Sequence, residues 1–173
     1  MKTIIKFLAV LLVLNFTFTS CDEIEELADV SIESNIVETI DVQLVENQEY
    51  ISKSIVLNID NAGTHDYLDK LKSISIKSLT YKFIDFSGNE NCYINVEIST
   101  DNNILESKEF YVKQANDDGT IYEITDVAKL NTMSAALLSN NQATFKVEGE
   151  CFGTPADFKI EVTIELDIVA NPL

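Results

Sequence analysis

The 173-residue chain has no tryptophan and no arginine, since all 12 of its basic residues are lysine. Against 29 acids that leaves a net charge of −17, without the planar guanidinium best suited to phosphates and base edges, so no nucleic-acid partner is expected. Histidine is nearly missing too. His65 stands alone within Thr64, His65, Asp66, Tyr67, at an expected helix start, where it reads as a solvent-facing first-turn residue. With one histidine, a hydrolytic triad and a structural zinc site are both hard to assemble. Five glycines and two prolines leave little to cradle a phosphate, and no GxSxG, HExxH, Walker or dinucleotide pattern occurs. Nowhere is there an unbroken apolar run of about 20 residues, the length a spanning helix needs. The expectation is a non-enzymatic protein with no cofactor, no metal and no catalytic residues. What is present, 46% hydrophobic residues over one domain's length, is ample for a folded core.

Residues 1–20 read as an address. Lys2 and Lys6 precede the apolar block Phe7 to Leu14, and the small polar residues Thr19 and Ser20 lead into Cys21. A basic start, a short apolar centre and a small-residue cut site make a secretory signal peptide, set apart from the fold. The run Phe18, Thr19, Ser20, Cys21 resembles the lipobox of bacterial lipoproteins. The resemblance implies cleavage before Cys21, diacylation of its thiol and acylation of its new amine. Two or more chains are enough to anchor a protein where one only visits the bilayer. Next come Asp22, Glu23, Glu25 and Glu26, an acidic run that resembles the surface-export signal of Bacteroidota lipoproteins. That implies an outer-membrane, lipid-anchored protein displayed on the cell surface, with a periplasm-facing anchor as the alternative. A plain solvated acidic spacer is the other reading of the same run. The membrane would then be a partner only through the lipid.

Removing residues 1–20 takes away two lysines and no acid, which leaves a mature charge of −19. Such a domain is repelled by anionic headgroups and stands off the membrane beyond its anchor. Residues 21–29 form the lipidated cysteine and acidic tether, and the eight or so residues after Cys21 reach at most roughly 30 Å. Two further cysteines remain, Cys92 and Cys151, an even pair in a chain bound for an oxidising compartment. Both fall on the apolar parity of their strands, with Ile94, Val96 and Ile98 in one and Ala143, Phe145 and Val147 in the other. A disulfide between them would close a loop of about 60 residues and stabilise the fold by roughly 4 kcal/mol on the chain-entropy estimate. The alternative is a pair of buried thiols acting as small hydrophobes.

From residue 30 onward the dominant signal is period two, so the folded domain is placed at 30–173. Val30, Ile32, Ile36, Ile40, Val42 and Leu44 share one parity, and Ile51, Ile55, Leu57 and Ile59 share another. The polar Glu46 to Glu49 between them suggests a long hairpin. Phe158, Ile160, Val162, Ile164, Leu166 and Ile168 alternate with polar residues, and residues 143–152 are the expected hairpin partner across Gly153 to Ala156. Between these, the parity slips near Lys77 and Ser78, which requires a bulge. Further strands are expected at 92–99, 104–113 and 120–124. Two helices are expected, one from Thr64 to Lys72 and one capped by Thr125 or Asp126 and carrying Val127, Leu130, Ser134, Leu137 and Leu138 on one side. About eight one-sided strands bury their apolar faces best as an antiparallel β-sandwich with one or two short helices.

Acidic loops invite a calcium test. Asn116, Asp117, Asp118, Gly119 opens like a calcium loop, but the twelfth position falls on Thr125 rather than Glu, so a turn is expected. Tyr50, Tyr93, Tyr111 and Phe152 are aromatic residues on or near outward-facing positions, available either for cross-strand packing or for contact with a ligand. The leading expectation is a non-enzymatic binding or structural accessory module, for a protein or glycan. A lipocalin-like binder of an apolar ligand and a hydrolase built on Asp or Glu alone are the alternatives.

Overall fold

A computed structural model describes residues 29–60, 63–101 and 103–171. In chain order it contains β1 (Val30–Leu44), β2 (Tyr50–Asn58), a single 3-10 turn (His65–Tyr67), β3 (Leu71–Gly88), β4 (Tyr93–Thr100) and β5 (Asn103–Tyr111). There follow α1 (Val112–Asp117), β6 (Tyr122–Glu123), α2 (Val127–Asn140), β7 (Gln142–Phe152) and β8 (Ala156–Ala170). Two antiparallel four-stranded sheets, ordered β1-β8-β3-β6 and β2-β7-β4-β5, face each other as a β-sandwich. The expected class and strand number are therefore observed.

The pairings β1 with β8, β2 with β7, β3 with β6 and β4 with β5 are those of one long antiparallel ribbon. Rolling that ribbon brings β3 against β8 and β4 against β7, which is the strand order of an eight-stranded jelly roll. This corrects the two expected hairpins. Leu44 and Tyr50 belong to different sheets, as do Phe152 and Ala156, because each short polar link carries the chain across the sandwich rather than back beside itself. A turn signal reports that the chain reverses, not which neighbour receives it.

The interior is apolar and shared. Tyr81, Phe83, Phe158 and Ile160 from one sheet meet Ile94, Phe110, Phe145 and Val147 from the other, all buried. Parity explains why, since successive residues alternate between the two faces of a strand. The slip near Lys77 appears as a break in register between Ile76 and Ser78 against β8. At that break the Ile76 N–H donates to Ser134 Oγ of α2 at 3.3 Å, while the Ser134 hydroxyl donates to Leu130 O at 3.0 Å. The helix thus satisfies the backbone group that the bulge displaces. Asp126 caps α2 by accepting from the N–H groups of Ala128 and Lys129, and Asn141 ends it in the left-handed conformation at φ 58°. Leu130, Met133, Ser134 and Leu137 are its buried face, whereas Val127 is exposed. The helix expected at Thr64–Lys72 is only the turn His65–Tyr67, because Leu71 already begins β3. The strand expected to reach residue 113 instead ends at Tyr111 and becomes α1, which buries Val112 and Ala115 at helical spacing. Among the described residues no helix is long and apolar enough to cross a membrane.

Candidate functional site

The outer face of the sheet β2-β7-β4-β5 carries the most distinctive surface. Its register places Tyr93 of β4 directly between Tyr111 of β5 and Phe152 of β7. The rings form a row across three strands, with centroids 5.2 Å apart for Tyr93 and Tyr111 and 5.8 Å apart for Tyr93 and Phe152. Both outer rings are open to solvent, Tyr111 at 63% and Phe152 at 48%, and Tyr50 beside them on β2 is 54% exposed. Cross-strand packing therefore accounts for the ring-to-ring edges but leaves much of the outer two rings uncovered.

Behind the rings the rungs turn acidic. The next rung reads Glu109, Asn95, Glu150, Tyr50 across β5, β4, β7 and β2, and the one after it Ser107, Glu97, Glu148, Ser52. Glu97 and Glu148 stand directly opposite each other, an arrangement that disfavours pairing unless a cation is shared. Lys146 pairs with Glu148 and is the one lysine on this face among the described residues. Loss of solvent contact, then Glu109, with Tyr111 and Glu150 adding to it, raises the Tyr93 phenol above its ordinary range. Two shallow hollows lie over these rungs. One of about 270 Å³ includes Tyr50, Asn95, Glu97, Glu148 and Glu150; the other, about 400 Å³, includes Glu97, Ser99, Asp101 and Lys146.

Position follows from the topology. Val30 pairs with Ala170 at one end of β1, and Leu44 pairs with Ala156 at the other. Tyr50 follows Leu44, Phe152 precedes Ala156, and Tyr93 follows Gly88, which itself pairs with Ala156. The ring row thus sits at the Leu44 rim, about 45 Å along β1 from Val30 at about 3.3 Å per residue.

Directly beneath the row lie Cys92 and Cys151, each one residue before a ring on its strand and buried on the inner face. The bridge expected between them is not formed, and both are free thiols. Register explains this: Ile94, not Cys92, faces Cys151, so the sulfurs stand on a diagonal, where strand spacing puts Cα atoms about 7–8 Å apart. Cys151 Sγ donates instead to Gln48 O at 3.3 Å. Burial pushes the Cys92 thiol up to about 11, with Cys151 adding to it, and burial followed by Glu49 raises Cys151. Thiols held protonated in this way are poor nucleophiles.

The remaining sequence candidates do not converge. His65 is exposed, with Nδ1 2.7 Å from Asp60 Oδ1, and that hydrogen bond raises its pKa above the usual value. Asn116–Gly119 spans the last residues of α1 and the turn after it, with Asn116 Oδ1 accepting from Phe86 N and Asp117 paired to Lys113. No group of three or more His, Cys, Asp or Glu is arranged to hold a metal among the described residues. Cys21 and the acidic run Asp22, Glu23, Glu25 and Glu26, with the signal segment 1–20, lie outside the described residues.

Sequence reasoning missed one polar group inside the fold, Glu106. It accepts from the buried Tyr81 hydroxyl at 2.6 Å, and Lys108 lies 3.4 Å from it and 4.6 Å over the Tyr122 ring. Glu106 and Lys108 occupy the inward parity of edge strand β5, which nothing in the local pattern reveals.

No family model matches the chain, and no curated protein does. Among solved structures, the chain is similar to the decameric BFDV capsid protein, with TM-score 0.42 and 8% identity, over 80% of this chain and 99% of that one. It is also similar to Desmodium yellow mottle tymovirus, with TM-score 0.38 and 10% identity, over 80% and 88%. At such scores the jelly-roll description rests on this chain's own strand order.

Proposed function

We propose that the protein is an exported lipoprotein, anchored through Cys21 in the outer membrane and displayed on the cell surface, whose domain binds a partner rather than transforming one. The outer face of β2-β7-β4-β5 is its binding face. The observation that carries this reading is the ring row of Tyr111, Tyr93 and Phe152 at the rim remote from Val30, where the tether joins the domain. Anchored through the segment before Val30, the domain holds this exposed aromatic row at the end away from the bilayer. In the oxidising compartment Cys92 moves from its place just before β4 to close a bridge with Cys151, clamping β4 to β7 under the rings.

Metabolic labelling with a clickable fatty acid tests the anchor, and the protein takes the label at Cys21 while Cys21→Ser does not. Protease shaving of intact cells then degrades the domain; loss only after lysis rejects surface display while leaving lipidation standing. Thiol counting under denaturing, non-reducing conditions finds none free, and two free thiols remove the bridge.

A further inference from the structure

We infer that the outer face of β2-β7-β4-β5 docks a cationic segment of a partner protein, with lysine or arginine side chains laid over the Tyr111–Tyr93–Phe152 row and paired to Glu109, Glu150 and Glu97. The inference rests on the binding-module reading and names its ligand. Charge complementarity selects the occupant. On the other sheet the opposed pair Glu33 and Asp167 is bridged by Lys77, at 3.1 and 2.8 Å. The opposed pair Glu97 and Glu148 has only Lys146, which pairs with Glu148, and among the described residues no lysine forms a salt bridge with Glu97, Glu109 or Glu150. A guest ammonium or guanidinium takes here the role that Lys77 fills within the chain.

The rings add a second attraction, because a cation over an aromatic face is held by the ring quadrupole. The molecule already uses this chemistry once, with Lys108 over Tyr122 and beside Glu106. Ring orientation separates this occupant from a sugar. The planes of Tyr93 and Tyr111 are inclined by 56° and those of Tyr93 and Phe152 by 40°, a notched surface rather than a level platform for stacked pyranoses. Carboxylates, which only accept hydrogen bonds, match a donor-rich cation better than a neutral sugar.

The test uses the full-length protein in detergent and a fluorescein-labelled peptide of alternating arginine, lysine and glycine, read by anisotropy. Two ring losses, Tyr111→Ser with Phe152→Ser, weaken binding about tenfold at exposed-site strength, while Tyr111→Phe retains it. Glu109→Gln with Glu150→Gln weakens it at low salt and flattens the salt dependence. Glu33→Gln with Glu165→Gln, the same charge change on the opposite sheet, leaves binding within about twofold. Equal weakening by that control overturns the inference, because attraction would then be to bulk negative charge. Amide NMR with a neutral oligosaccharide separates the two readings. Shifts on this face from the sugar and none from the peptide overturn the cation but keep a binding module; shifts from neither, with the fold intact, remove both.

Discussion

The two sheets share one interior and differ in what they show to water. On the β1-β8-β3-β6 face, cross-strand lysines meet carboxylates: Lys82 with Glu161 at 2.8 Å, Lys159 with Asp85 at 2.9 Å, and Lys77 between Glu33 and Asp167. On the β2-β7-β4-β5 face, among the described residues, Lys146 pairs with Glu148 alone of the four glutamates, and the surface ends in open rings. On the first face the opposed pair Glu33 and Asp167 is bridged by a lysine of the chain itself; on the second, Glu97 and Glu148 stand opposed and the outer rings are uncovered, which costs some sheet stability locally.

The inner faces should be interchangeable, and the largest effect tests that. Phe145→Ala from one sheet and Phe158→Ala from the other should each cost about 3–5 kcal/mol in denaturant unfolding, since both side chains are buried in the common core. A large gap between them would mean that the sheets do not share one core. Next, Gly149 sits where β7 approaches β4, and an added Cβ would lie 2.7 Å from Val96 Cα. Gly149→Ala should therefore destabilise by about 1–3 kcal/mol and disturb the β2-β7-β4-β5 sheet ahead of the other, as amide exchange would show. Buried hydroxyls sharpen the contrast further. Ser134 is fully engaged, but the Thr100 hydroxyl on β4 is buried with no hydrogen-bond partner among the described residues. Thr100→Val should stabilise by about 1 kcal/mol, read as a higher denaturant midpoint, whereas Ser134→Ala should destabilise. The smallest effect belongs to the charged wall: Lys77→Met should lower Tm slightly at low salt and not at all at high salt, because the lysine is solvent-exposed.

Parity was legible from sequence because a strand's two faces alternate residue by residue. Ile160, Val162 and Ile164 could only point inward together, and Cys92 and Cys151 with their own strands. The bulge at Ile76–Ser78 was legible for the same reason, as a change of phase. Partner choice was not. The Leu44–Tyr50 and Phe152–Ala156 links carry local turn chemistry that is indifferent to which sheet comes next, so hairpins and crossovers look alike. The rings show where that limit falls. Tyr93, Tyr111 and Phe152 stood out singly as outward positions, yet their alignment depends on register between strands far apart in the chain. Glu97 opposite Glu148 was invisible for the same reason.

The fifteen-residue β1 runs from Val30 to the rim that holds the rings, and it is zipped to β8 along its whole length. On the proposed reading, tension between the Val30 end and a partner held at that rim would run parallel to the strand. Its backbone hydrogen bonds to β8 lie across the pull and are strained together in shear, rather than opened one at a time. If the proposed anchor and partner hold the two ends, the jelly roll would bear load best along β1.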